Sequence, residues 1–143
     1  MRVLITGANG FVGKNLQLHL AERSDVEVLC FTREHKQADL LQLVADADLV
    51  FHLAGVNRPQ DPAEFQQGNA DLTQALCDAL AQADKAIPVV YSSSIQATAD
   101  NPYGASKRAA EEALLAFAQR SGAPVFIYRL ANVFGKLARP NYN

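Results

Sequence analysis

The sequence predicts a doubly wound α/β fold with a parallel sheet of about five strands. Two observations carry this prediction: short apolar runs alternate with helical patterns, and a glycine-rich turn follows the first run. The runs are almost continuously apolar, which is typical of parallel strands covered on both faces. The predicted strands are Arg2–Thr6, Val26–Phe31, Asp48–Leu53, Pro88–Ser92 and Val125–Arg129. The predicted helices are Gly10–Glu22, Lys36–Ala45, Phe65–Ala83 and Tyr103–Arg120.

The composition predicts one globular domain in a chain of 143 residues, with 49% hydrophobic and 20% charged residues. A net charge of -2 argues against a nucleic-acid-binding surface. No apolar run approaches the ~18 residues of a membrane span. Cys30 and Cys77 stand alone in apolar patterns, so we expect reduced core cysteines in a cytoplasmic protein. We find no cluster of residues suited to binding a metal.

The glycine-rich turn lies between the first predicted strand and the first predicted helix. Its spacing is Gly-x-x-Gly-x-x-Gly. In such a turn Gly7 permits the sharp bend, Gly10 lets the backbone approach a pyrophosphate, and Gly13 lets the helix pack closely on the strand. The helix N-terminus then offers N–H groups to the phosphates. The alternative is that these glycines only shape a turn in a non-binding α/β protein. The dinucleotide-binding residues predicted here are Gly7, Asn9, Gly10, Phe11, Val12 and Gly13.

The end of the second strand is expected to contact the adenosine ribose of the cofactor. No acid occupies the strand end, and Arg33 lies just beyond it. A guanidinium suits the 2′-phosphate of NADP, whereas an acid would favour NAD. We therefore favour NADPH, with NAD as the alternative if Arg33 is only a solvated loop residue. The third strand ends in Leu53, Ala54 and Gly55, small and apolar residues fit to lie beside the cofactor, and His52 is interpreted as a packed strand residue.

Tyr103 and Lys107 stand four residues apart, on one face of the last predicted helix. A free tyrosine titrates near pH ~10, and a neighbouring ammonium favours the phenolate. Such a pair can exchange a proton with a substrate oxygen, and Lys107 can also bind the nicotinamide ribose. Ser94 ends the fourth strand, at the sheet edge where ligands bind, and can donate a hydrogen bond to a reacting carbonyl.

These motifs together resemble the extended short-chain dehydrogenase/reductase family, which comprises NAD(P)-dependent nucleotide-sugar epimerases, dehydratases and reductases. The resemblance spans essentially all 143 residues. It implies a Rossmann-type fold, with Ser94, Tyr103 and Lys107 as catalytic residues. It also implies that Asn69 supports the proton relay, although Leu72 stands where that motif usually has glycine. The stretch from Arg129 to Gly135 resembles the family's segment that meets cofactor and substrate, which implies a substrate contact for Asn132.

Several stretches resemble more narrowly the N-terminal domain of bacterial capsular-polysaccharide UDP-sugar 4-ketoreductases, which carry a C-terminal cupin domain. These stretches are His52–Pro59, Ser92–Thr98, Asp100–Gly104 and Lys136–Asn143. The resemblance implies NADPH-dependent reduction of a 4-keto UDP-2-acetamido-2,6-dideoxyhexulose. The product would be UDP-2-acetamido-2,6-dideoxy-L-talose, on the route to N-acetyl-L-fucosamine in capsule or O-antigen.

Two other functions stay open. A nucleotide-sugar epimerase uses the same serine, tyrosine and lysine with tightly held NAD, and a non-catalytic sensor module would need only the dinucleotide site. A dehydratase is disfavoured, because Ile95-Gln96 follow Ser94 where dehydratases of the family carry an acidic pair.

The chain ends at Asn143, before the substrate-binding domain that extended members carry. Residues 1–143 are therefore expected to form an NAD(P)-binding Rossmann domain, either as a fragment of a longer protein or as the product of a truncated gene. Asn57 and Arg58 are candidate contacts for the UDP-sugar, with simple loop solvation as the alternative. The helices near 65–83 and 103–120 resemble the family's dimer contact, so we expect a homodimer.

Overall fold

The computed structural model describes residues 1–56, 61 and 63–131, and it confirms the doubly wound α/β class. One sheet holds five parallel strands in the order β2-β1-β3-β4-β5. The strands are β1 (Arg2–Thr6), β2 (Glu27–Phe31), β3 (Leu49–His52), β4 (Val89–Ser94) and β5 (Val125–Leu130). The strand order reverses between β1 and β3, and ligands bind at such a switch point, beyond the carboxyl ends of the strands.

Five α-helices connect the described strands: α1 (Phe11–Leu20), α2 (Asp39–Ala45), α3 (Ala63–Phe65), α4 (Leu72–Ala83) and α5 (Pro102–Ser121). The sequence predicts a single helix over 65–83, but the structure has a π-helical segment, Gln66–Asp71, between α3 and α4. A short 3₁₀ turn, Ile95–Thr98, follows β4. The π-helical segment carries Asn69, whose side chain and backbone carbonyl form hydrogen bonds with residues outside that segment.

The core lies on both faces of the sheet because strand residues alternate between them. Helices α2, α4 and α5 cover one face, where Leu4, Val50 and Tyr91 are fully buried. Helix α1 covers the other face over Val3 and Ile5. On the strand β5, Phe126 and Tyr128 are 50% and 56% exposed.

The start of α5 is fixed by its cap. Asn101 accepts a hydrogen bond from the backbone N–H of Gly104 at 2.7 Å, and Pro102 occupies the first turn. Asparagine at the cap and proline just inside it are favourable helix starts. This cap places Tyr103 in the first turn of α5, beside the carboxyl ends of the strands. Both cysteines are free, Cys77 being buried and Cys30 half-buried.

In the described ranges, no helix is long and apolar enough to cross a bilayer.

Candidate active site

A cavity of about 1010 Å³ opens at the carboxyl edge of the sheet. Its size is at the upper end of the range for ligand pockets, ~300–1,000 Å³. Most of the site residues predicted from the sequence line it, namely Gly7, Asn9, Gly10, Phe11, Val12, Gly13, Arg33, Leu53, Ala54, Gly55, Ser94, Tyr103 and Lys107. Asn57, Arg58 and Asn132 lie outside the described residues. The sequence motifs therefore converge on one cavity, although they are spread over most of the chain.

The glycine turn is packed so closely at Gly7 and Gly13 that side chains would not fit there. Gly7 has φ +70°, and a Cβ there would lie 2.6 Å from the backbone N of Ala54. A Cβ on Gly13 would lie 2.3 Å from the carbonyl oxygen of Gly7. Gly10 caps α1 without a side-chain hydrogen bond, so the helix begins with exposed backbone at the cavity. These features fit the phosphate-binding role predicted for the turn.

The residues after β2 form a compact turn at the far end of the cavity. The backbone N–H of Thr32 donates to Nδ1 of His35 at 3.0 Å, and the N–H of Glu34 donates to the Thr32 hydroxyl at 3.3 Å. His35 stacks on Phe31, with ring centroids 5.6 Å apart. The exposed Arg33 and its neighbour Glu34 both line the cavity. The turn thus presents one cation and one anion where the adenosine ribose is expected.

Lys107 is only 6% exposed, and its ammonium is fixed against β4. Nζ donates to the carbonyl oxygen of Ser92 at 3.0 Å and to the hydroxyl of Tyr91 at 3.3 Å. It also lies 5.0 Å from the centre of the Tyr91 ring. Burial lowers the pKa of Lys107 to about 8, against an opposing effect of Glu111. An ammonium has three donors, so those two bonds leave one for a ligand in the cavity.

Ser94 and Tyr103 approach the cavity from β4 and α5. The Ser94 oxygen accepts from the backbone N–H of Gln96 at 3.1 Å, so the hydroxyl keeps its proton for donation to a ligand. The Tyr103 ring packs edge-on against Phe65, with centroids 5.5 Å apart. The three predicted catalytic side chains therefore share one wall of the cavity.

Asn69 is buried behind that wall rather than lining it. Its side chain accepts from the backbone N–H of Val56 at 2.9 Å and donates to the Val56 carbonyl at 3.1 Å. It also donates to the hydroxyl of Ser106 at 2.9 Å. A Cβ on Gly55 would lie 2.9 Å from Asn69 Oδ1 and 3.3 Å from Lys107 Nζ. Asn69 thus ties the loop after β3 to α5.

Sequence reasoning missed Glu111, which is 5% exposed and lies one turn beyond Lys107 on α5. Its carboxylate accepts from Ser93 at 2.5 Å and from Arg129 at 2.7 and 3.0 Å. Burial acts to raise the pKa of Glu111, but the bonds from Arg129 and Ser93 outweigh it and hold that pKa below its usual value. The shared four-residue spacing of Tyr103, Lys107 and Glu111 was the available signal.

In the part of the chain that the structure describes, no three His, Cys, Asp or Glu side chains gather to hold a metal ion.

Comparisons with known proteins show the family of this chain. The model of the NAD dependent epimerase/dehydratase family matches residues 3–143. The chain is 59% identical over 143 residues to the UDP-2-acetamido-2,6-beta-L-arabino-hexul-4-ose reductase of Pseudomonas aeruginosa, a match that covers 100% of this chain and 38% of the relative.

Solved structures show the same fold. The capsular polysaccharide assembling protein CapF from Staphylococcus aureus matches with a TM-score of 0.85 at 45% identity, over 100% of this chain and 39% of that one. UDP-glucuronic acid 4-epimerase from Bacillus cereus, in complex with NAD, also gives 0.85 but at 22% identity, over 99% of this chain and 60% of that one, and shows a common fold alone. The chain spans less than two fifths of the reductase and of CapF. The family model covers nearly every residue and confirms the resemblance found in the motifs, so this chain belongs to the NAD-dependent epimerase/dehydratase family.

Proposed function

We propose that this chain is the cofactor-binding and catalytic domain of an NADPH-dependent reductase of a 4-keto UDP-2-acetamido-2,6-dideoxyhexulose. One observation carries the proposal: Ser94, Tyr103 and Lys107 line the same cavity as the glycine turn. The 59% identity to a reductase of a UDP-hexul-4-ose supports the substrate class. The product would be UDP-2-acetamido-2,6-dideoxy-L-talose, a precursor of N-acetyl-L-fucosamine in capsule or O-antigen.

The proposed chemistry assigns a separate task to each side chain. A bound nicotinamide dinucleotide would supply the hydride to the ketone carbon. Ser94 donates a hydrogen bond that fixes the ketone oxygen, and Tyr103 gives that oxygen its proton. The charge of Lys107 favours the phenolate that Tyr103 becomes, and its remaining N–H binds the nicotinamide ribose. The UDP-sugar contacts predicted for Asn57, Arg58 and Asn132 remain part of this proposal.

The first experiment replaces the proton donor. Tyr103→Phe keeps the ring that packs on Phe65 but removes the hydroxyl. We expect the rate of NADPH oxidation with the 4-keto UDP-sugar to fall by ~10²–10⁴-fold, with cofactor binding kept within about twofold. Tyr128→Phe, which removes an exposed hydroxyl from β5, is the matched control and should leave the rate unchanged. Ketoreduction at the wild-type rate by Tyr103→Phe would overturn the assignment.

The preference for NADPH rests on Arg33. A charge-assisted bond to the 2′-phosphate is worth ~1.5–3 kcal/mol, so Arg33→Ala should weaken NADPH binding by ~10–100-fold and change NADH binding by less than about twofold. Fluorescence titration with both cofactors measures this. Lys36→Ala, an exposed cation of the same loop, is the control. Equal losses for NADPH and NADH would show that Arg33 does not read the phosphate.

The same assay separates the reductase from an epimerase. An epimerase returns its electrons and keeps its NAD oxidised over complete turnovers, whereas a reductase consumes one NADPH per product. Stoichiometric NADPH consumption supports the proposal, and interconversion of UDP-sugars without net consumption would replace it by the alternative. The proposed homodimer through the helices near 65–83 and 103–120 is tested separately, by light scattering.

A further inference from the structure

The residue whose bonding goes furthest beyond its predicted role is His52. This side chain is fully buried at the end of β3, and both of its ring nitrogens face hydroxyls. We propose that His52 is a positioning residue: as a neutral imidazole protonated on Nε2, it links the strand before the glycine turn to the segment that carries Asn69. Its effect on catalysis rests on the reductase function proposed above, but its protonation state does not.

The hydrogen bonds of Thr6 determine where its hydroxyl proton points, and this is the first link in a chain of buried hydrogen bonds. The Thr6 oxygen accepts from the backbone N–H groups of Leu53 and Ala54, both at 3.1 Å. Its two lone pairs are thereby used, and its only proton must point to Nδ1 of His52, 2.6 Å away. Nδ1 is then an acceptor and carries no hydrogen.

The second proton follows on the other side of the ring. A neutral imidazole without hydrogen on Nδ1 carries it on Nε2, which lies 2.8 Å from the hydroxyl of Thr73. Thr73 accepts that proton and donates its own to the backbone carbonyl of Asn69 at 2.5 Å. Every donor in this buried chain therefore has one acceptor, and only one direction of donation satisfies all of them.

The chain continues from Asn69 to the catalytic helix. The Asn69 side chain donates to the Ser106 hydroxyl, and Ser106 donates to the carbonyl of Tyr103 at 2.7 Å. His52 is thus the central link between β1, immediately before Gly7, and the first turn of α5. We therefore expect the spacing between the glycine turn and Tyr103 to depend on this connection.

A charged ring would break the arrangement. A proton on Nδ1 would face the Thr6 hydroxyl, whose lone pairs are already occupied. Tyr91 stacks on the ring at 5.2 Å, and Lys107 is the nearby cation. Burial, assisted by the charge of Lys107, lowers the pKa of His52 to about 3. His52 is therefore expected to stay neutral over the working range of the protein.

The first test reads the ring directly in the wild-type chain. Two-dimensional ¹⁵N spectra of the histidine side chains distinguish the tautomers, and His52→Gln assigns the His52 signals. We expect the neutral Nε2–H form, unchanged between pH 5 and pH 9. An Nδ1–H tautomer or an imidazolium within that range would overturn the proposal.

The second test keeps the His52 ring and removes the Thr73 hydroxyl, which is one link of the hydrogen-bond chain. Thr73→Val keeps the shape and removes the hydroxyl. We expect it to shift the ¹³Cζ resonance of Tyr103 and to lower kcat for ketoreduction by ~10-fold or more, while KM for NADPH changes less than about twofold. Thr73→Ser should restore both. The matched control is Ser121→Ala, which also removes a hydroxyl bonded to the carbonyl four residues earlier, at the far end of α5.

The outcomes separate this inference from the proposed function. If the Tyr103 resonance has the same position in Thr73→Val as in the control Ser121→Ala, the positioning role is refuted, whatever the activity of the two variants. Absence of ketoreduction by the full-length wild-type protein would refute the proposed function, and the resonances of His52 and Tyr103 would still decide the inference.

Discussion

Lys107→Met is expected to stabilise the protein while it removes the proposed ketoreductase activity. The ordinary lysine pKa of 10.5 falls to about 8 in this site, because burial disfavours the charge. That difference corresponds to ~3 kcal/mol of unfavourable free energy carried by the folded ammonium at pH 7. Methionine has nearly the same shape and no charge. Loss of the bonds to Ser92 and Tyr91 costs ~1 kcal/mol each, so we expect a net gain of ~1 kcal/mol in the free energy of unfolding.

The gain in the free energy of unfolding is expected to depend on pH, and this dependence distinguishes the loss of the buried charge from other effects of the substitution. Between pH 8 and 10.5 the unfolded chain holds a lysine proton that the folded chain has released, so the stability of the wild type rises with pH. Methionine has no such titration, so the stability difference changes by ~3 kcal/mol across that window, from a gain of ~1 kcal/mol to a deficit of ~2 kcal/mol relative to the wild type. Cys77 also affects the wild-type stability in this window, because its thiol titrates near pH 9.0 in the unfolded chain while burial raises its pKa to about 12 in the folded one; this effect is common to both proteins and cancels in the difference.

Urea denaturation at matched ionic strength, from pH 7 to pH 10.5, measures both free energies. Lys36→Met is the control for removal of an exposed lysine. A difference between Lys107→Met and the wild type that stays constant over this range would refute the reasoning.

Two further predictions concern Gly55 in the wall of the cavity and the buried carboxylate of Glu111. Gly55→Ala places a Cβ 2.9 Å from Asn69 Oδ1 and 3.3 Å from Lys107 Nζ. Because of this crowding we expect a loss of ~1–3 kcal/mol in the free energy of unfolding, measured by denaturation, and weaker NADPH binding, measured by titration. An alanine variant with wild-type affinity for NADPH would contradict the crowding argument. Glu111→Gln removes the charge that binds Arg129, so we expect the free energy of unfolding to fall by ~1–2 kcal/mol at pH 7. Because the pKa of Glu111 is below its usual value, this loss should diminish as the pH falls below 4.5. A loss that is independent of pH would show that the carboxylate charge is not responsible.

The strands and the site were predictable because they rest on local patterns. Continuous apolar runs identified all five strands within two residues at each end, and the glycine spacing identified the turn at the start of α1. The carboxyl ends of parallel strands meet at one edge, so Ser94, Tyr103 and Lys107 were expected to meet there as well. The expectation needed only the topology.

The interior hydrogen bonds were not predictable in this way. The π-helical segment depends on contacts of Asn69 with Val56 and Ser106, which lie 13 and 37 residues away in sequence. The helical periodicity of residues 65–83 does not indicate these long-range contacts. His52 was interpreted as a packed strand residue, and its full burial agrees with that, but its two hydroxyl partners come from β1 and α4. Partners so distant in sequence are fixed by tertiary packing alone.

The strand order places β2 at the edge of the sheet, and this has a consequence for how cofactor preference changes over time. No strand adjoins β2 on its outer side in the described sheet, so the end of the cavity at which the adenosine ribose is predicted to lie is bounded by the short turn from Thr32 to His35. That turn is held by its own hydrogen bonds and by stacking on Phe31. A few substitutions among its exposed residues are expected to exchange the charge at the predicted ribose position without disturbing the buried core. A change of this domain's preference between the two nicotinamide cofactors is therefore expected to need few substitutions.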